Sequence, residues 1–249
     1  MSRALAAAVA AFLLASCVPP EESNDRIPRY QPDRTIMGAV QAAGTLRVGL
    51  PEASAPWASG GPEPEGFLVE LAELVAASLG VETTYTAASS VELMELVHIT
   101  DEELRDDEGA LELEDTEVDI AFPLFPISER LVLRRTVTDP YWVGHTRDLV
   151  VGSDVIETGR DVLLAIEAVK TEGAMIAGPH DSTEGYGAVV RTGASTFGTL
   201  VSQVFNEADA EGDWERFYAE WLAEYFADDE PPIPDMSVED AAALYPAAS

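Results

Sequence analysis

Residues 45–86, "TLRVGLPEASAPWASGGPEPEGFLVELAELVAASLGVETTYT", contain a strand, a loop, a helix and a second strand in that order. Leu46, Val48 and Leu50 alternate with other residues, the period-two pattern of a half-buried strand. A run rich in Pro and Gly follows. Phe67, Leu68, Leu71, Leu74, Val75 and Leu79 then recur at the spacing of one helical face, and Gly80 stands where a helix ends in a left-handed cap. "VETTYT" returns to strand chemistry and "VELMELV" (91–97) predicts a short helix. A β-α-β-α beginning of this kind belongs to the α/β class, with parallel strands joined by crossing helices.

Further along, "EVDIAF" (117–122) predicts a strand and "ISERLVLRRTVT" (127–138) a short helix running into an extended segment, with "DPYWVG" closing that unit in a turn. "RDLVVGS" (147–153) predicts a strand. "RDVLLAIEAVK" (160–170) predicts a helix with Val162, Leu163, Ile166 and Val169 turned inward, and "AMIAG" (174–178) another strand. The loop "PHDSTEGYG" leads into "AVVR". Phe197, Leu200, Val201, Val204 and Phe205, then Trp214, Phe217, Tyr218, Trp221, Leu222, Tyr225 and Phe226, mark two helices whose aromatic residues form core. Residues 227–249 read as a tail with one short helix at 237–244, and no internal repeat is present.

Residues 100–117, "TDEELRDDEGALELEDTE", interrupt this pattern with a dense acidic run. Carboxylates suit calcium, but the spacing does not match D-x-[DN]-x-[DN]-G, so the run reads as a solvated acidic insertion and no metal is expected. No cofactor motif is present. His98, His145 and His180 lack metal-ligand spacing, and no G-x-S-x-G elbow accompanies the serines, so the chain reads as a non-enzyme.

The first 16 residues, "MSRALAAAVAAFLLAS", combine Arg3 with an apolar run too short to span a bilayer, the form of a signal peptide. The single cysteine, Cys17, follows directly, so an internal disulfide is excluded. Leu14-Ala15-Ser16-Cys17 resembles the bacterial lipobox, in which cleavage precedes a cysteine that carries the lipid. Residues 18–43 read as a tether, so the expected product is a domain held at the outer side of a membrane through Cys17.

With 46 acidic and 14 basic residues the formal charge is −32. Such a surface repels a phosphate backbone, which excludes nucleic acid, and it argues against adsorption to anionic lipid without an anchor. It also suits a saline setting, where screening weakens self-repulsion.

Three ordered blocks carry a family resemblance: residues 42–81, "VDIAFPLFPISERLVLRRTVTDPYW" (118–142), and "GYGAVVRTGASTFGTLVSQVFNEADAEGDWERFYAEWL" (185–222). They resemble the family 3 periplasmic solute-binding proteins, the amino-acid receptors of ABC importers. The resemblance implies a two-lobed α/β fold of the type II periplasmic-binding-protein kind, with ligand clasped between lobes and passed to a permease. It places lobe I at 44–144 plus 190–226, a shortened lobe II at 145–189, and crossovers near 145–151 and 186–191.

The family's "T-x-E-R" arginine grips the ligand carboxylate, and "ISER" is the nearest match here. The resemblance therefore implies that role for Arg130, with Ser128 as a hydroxyl contact, and a guanidinium fork suits a carboxylate on chemical grounds. The alternative for Arg130 is a surface pair with Glu129 or a nearby acid, and Arg134 and Arg135 fit that alternative better. In the family's "P-F" loop this chain has Trp57, with Ser54 at the usual stacking position. Trp57 either walls the cleft or packs into the core.

The second lobe departs furthest from the pattern, with about 35 residues between the crossovers and neither the "G-S-T" turn nor the "G-x-x-D-A" acid. Asp181 can replace that acid as ammonium partner, with Ser182 and Thr183 as hydroxyl donors. The same residues also suit a polar turn entering the crossover. The leading expectation is a monomeric, lipid-anchored receptor for an amino acid or similar small carboxylate that delivers to an ABC permease. The rival is a sensory or interaction module derived from one.

Overall fold

The computed structural model describes residues 27–31, 34–97, 118–179, 181–191, 194–227 and 234–247. The signal and lipobox readings, the acidic insertion, His98 and His180 lie outside the described residues. The first helix, α1 (Ile36–Ala43), corrects the tether reading. Thr35 caps it by accepting from Gly38 N, and Ile36, Met37 and Val40 are buried against the body. Its eight residues are too few to register as a sustained period.

The expected β-α-β-α start is present as β1 (Thr45–Pro51), α2 (Phe67–Leu79), β2 (Glu82–Ala88) and α3 (Ser90–Leu96). Gly80 ends α2 at φ 69, the left-handed region that an L side chain resists. A two-residue β3 (Ile120–Ala121) and α4 (Glu129–Val132) precede β4 (Thr136–Gly144), which takes in the whole of "DPYWVG". The turn expected there is absent because those residues pair with β8 (Glu184–Val190). The first sheet has the order β2-β1-β3-β8-β4, parallel from β2 to β3, with β8 antiparallel to both of its neighbours.

The second sheet is smaller: β6 (Asp154–Arg160), β5 (Thr146–Val151) and β7 (Ala174–Ala177), with α5 (Asp161–Lys170) between β6 and β7. Only His145 separates β4 from β5, and the chain returns between Ala177 and Glu184. Residues 145–151 and 186–191, read from sequence as crossovers, therefore lie mainly within strands of the second and first sheets. The inward face of α5 is also shifted: Val162, Leu164, Ala165 and Ala168 are buried, whereas Leu163 and Val169 are more than 40 % exposed. The helix lies on a sheet of only three strands, and its small alanines are what approach that sheet.

The aromatic helices are α6 (Ser195–Glu211) and α7 (Asp213–Trp221), and the tail helix is α8 (Val238–Leu244). Helices α1, α2, α6 and α7 cover one face of the first sheet; α3 and α8 cover the other through Leu93, Val97, Ala241 and Ala242. The main core does not stop at the sheet boundary. Leu149, Val162, Ala165, Ala174 and Ile176 of the second unit are continuous with Leu46, Val48, Phe67 and Trp142 of the first.

Candidate ligand site

In a clamp, the space between the two sheets belongs to ligand. Here Trp57, in the loop after β1, has no exposed surface, and its indole N–H donates to Val162 O of α5 at 2.8 Å. Its ring meets Phe67 and Trp142 edge-on at 5.8 and 5.0 Å, and Trp142 stacks on Trp214 and Tyr218. Trp57 is therefore a core residue that joins the two units. Ser54 is equally committed: buried, it donates to the carbonyls of Pro51 at 2.8 Å and Ala58 at 3.3 Å, fixing the turn that delivers Trp57. After α7, Ala227 N donates to Ile176 O of β7 at 2.9 Å and ties the units together again.

The crossings are held by a buried polar network. Asp161, the first residue of α5 and 2 % exposed, accepts from His145 N at 2.9 Å and from Trp142 Nε1 at 3.4 Å. Burial pushes its carboxyl up to about 6, against the lowering effect of those donors. Gly144 admits this approach, since a Cβ there would stand 2.6 Å from Asp161 Oδ1. Glu184 accepts from Tyr186 and Tyr245 hydroxyls, both at 2.5 Å, and pairs with Arg160. Ser182 Oγ accepts from Thr146 N at 3.0 Å, and Ser182 O takes a 2.5 Å bond from His145 Nδ1, which must carry the proton because a carbonyl cannot donate. Asp181 N donates to Thr146 O. Asp181 and Ser182 thus bind the returning chain to Thr146 and His145 at the entry to β8.

Ser128 and Arg130 come together elsewhere. Ser128 caps α4, accepting from Leu131 N at 3.3 Å, and its neighbours tie this helix to the returning strand and the tail: Ile127 N donates to Gly185 O and Glu129 N to Tyr245 O. Among the described residues, Ser128, Arg130, Leu131, Arg134 and Arg135 line with Met94 of α3 an open cavity of about 220 Å³. None of the three arginines forms an ion pair among the described residues. Arg135 donates only to the Arg134 carbonyl, and its Nε is buried without an acceptor. Among the described residues the cavity is lined by α3, α4 and the residues that follow α4; Ser54, Trp57, Asp181, Ser182 and Thr183 do not line it. Sequence reading assigned Arg134 and Arg135 to surface pairing, and the consecutive "RR" one turn beyond Arg130 was the available signal.

Other arginines are structural. Arg191, fully buried, and Arg47 both bind Asp119, at 2.7 and 3.0 Å, at the end of the first sheet remote from the crossings. Among the described residues there is no cluster of three or more His, Cys, Asp or Glu able to hold a metal, and no helix long and apolar enough to cross a membrane.

No protein-family model matches the chain, and no curated protein matches it by sequence. Among solved structures, a mutant of ArgBP from T. maritima is similar with TM-score 0.57 and 16 % identity, covering 75 % of this chain and 99 % of that one. An amino acid ABC transporter substrate-binding protein from Streptococcus pneumoniae, bound to L-arginine, gives 0.56 and 12 %, covering 75 % and 97 %. An ancestral cyclohexadienyl dehydratase gives 0.54 and 18 %, covering 76 % and 96 %. The chain has the two-lobed periplasmic-binding-protein fold with a reduced second lobe.

Proposed function

We propose that the protein is a divergent member of the family 3 solute-binding proteins, held outside the cell membrane by lipid on Cys17, that binds an amino acid or similar small carboxylate and delivers it to an ABC permease. The shared fold and the three ordered sequence blocks support this reading. The observation that carries it is the cavity bearing Ser128 and three arginines that form no ion pair among the described residues. Guanidinium groups in so acidic a protein find counter-ions readily; three left open around one hollow are available to an external carboxylate.

The test is a thermal-shift screen of the mature protein against amino acids and small carboxylates, followed by calorimetry on Arg130→Ala and Arg130→Lys. A ligand of the native state raises the midpoint by mass action. Because Arg130 is exposed, losing its charge-assisted bonds should weaken binding by about 1–2 kcal/mol, roughly tenfold, with partial recovery in the lysine variant and little change in apo stability. Unchanged affinity in Arg130→Ala removes the assignment.

A second reading has its own observation. The Trp57 bond to Val162 O and the core continuous across both units leave the clamp space filled by the protein itself, which favours an interaction module without lobe closure. A broad screen that yields no ligand selects this reading.

A further inference from the structure

We propose that the cavity between α3 and α4 selects a small dianion without an ammonium group, a dicarboxylate of four or five carbons, and that Arg134 and Arg135 set this selectivity together with Arg130. The inference rests on the reading of this cavity as the ligand site and narrows what it takes.

An amino-acid site needs two opposite features, cations for the carboxylate and an anion for the ammonium. Among the described residues the lining is Met94, Ser128, Arg130, Leu131, Arg134 and Arg135, three cations and no carboxylate. Asp181, the acid the sequence offered as ammonium partner, stands at the crossover and does not reach this cavity. An ammonium placed among three guanidinium groups meets like charge at close range, whereas a second carboxylate meets the cations that the first leaves unpaired.

Two features support a ligand rather than a bare charged surface. Arg135 Nε is buried with no acceptor, a desolvated donor that an incoming oxygen satisfies. Met94 and Leu131 supply apolar contact beside the arginines, suited to the methylenes between two carboxylates. Size sets the chain length. At about 30 Å³ for each water, 220 Å³ holds about seven waters, well short of the volumes that take larger ligands and sufficient for a short diacid. Of the neighbouring acids, Glu129 accepts from Ala247 N at 2.7 Å, and Glu239 lines an adjoining cavity also bordered by Arg135.

Succinate and aspartate make a matched pair, since aspartate is succinate with one ammonium added. Calorimetric titration of the mature protein should show succinate binding at least about tenfold more tightly than aspartate. Arg134→Gln and Arg135→Gln should each weaken succinate roughly tenfold while leaving the unliganded thermal midpoint in place. Aspartate binding as tightly as succinate, with both lost in Arg130→Ala, would overturn the dianion inference and keep the site; so would succinate binding indifferent to both glutamine variants. Binding of neither compound, with glutarate and glutamate also silent, would remove the site itself.

Discussion

Asp161 combines burial, two hydrogen-bond donors and a place at the crossing between sheets. Its carboxyl is raised to about 6 by desolvation from an ordinary value of 3.8, so the folded chain holds a proton that the unfolded chain releases. The contribution to stability is fully present below about pH 4 and is lost as pH rises through 6, to the extent of a few kcal/mol. Many other carboxylates titrate in this chain, so the difference between wild type and Asp161→Asn isolates this group. Urea unfolding from pH 4 to 7 should show wild-type stability falling more steeply than that of the variant, and parallel curves would contradict the account. Nothing in the sequence singled Asp161 out among 46 acids. Its role comes from Gly144, His145 and Trp142, brought to it by a strand that switches sheets.

At the scale of elements, the loop after β1 is the key connector, because it carries a strand end of the first unit onto the first turn of α5 in the second. Trp57→Phe keeps most of the ring packing and strips Val162 O of its donor, a loss of about 1–2 kcal/mol. Trp57→Ala removes the ring as well and should cost about 3–5 kcal/mol. If Trp57 only walled a cleft, unfolding midpoints would hardly move in either variant. The long periodic elements were legible in sequence: β1, α2, α6 and α7 all show apolar spacing that survives in the fold. Elements that failed to show were short or set by partners. Helix α1 has eight residues, β6 pairs along β5 with six of its seven residues exposed, and the last part of β4 is a strand only because β8 lies beside it. The helical face of α5 was misphased: Leu164, not Leu163, is buried, together with Val162, Ala165 and Ala168. Of the proposed site, the "ISER" motif pointed to Arg130 and Ser128, whereas Arg134 and Arg135 were read as surface pairs because in so acidic a chain every arginine has a plausible partner until its surroundings are seen.

For the whole molecule, the shared core and the two ties at Trp57 and Ala227 imply one body rather than a hinged clamp. Under the proposed function, recognition then falls to a cavity on the first lobe. A reduced second lobe offers few groups to a ligand, and the space in front of it is taken by Trp57 and Trp142, each without exposed surface. The arginine cavity needs no domain motion to form, since Ser128 and the bonds from Ile127 and Glu129 already fix α4 in place. The most direct measurement is a nuclear magnetic resonance titration of the nitrogen-15-labelled protein with succinate, following arginine Nε–H and tryptophan indole N–H signals together. The account predicts saturable shifts at Arg130 and Arg135 with the Trp57 indole, bonded to Val162 O, unmoved. Shifts at the Trp57 indole with the arginine signals unchanged would place the ligand between the lobes and contradict it.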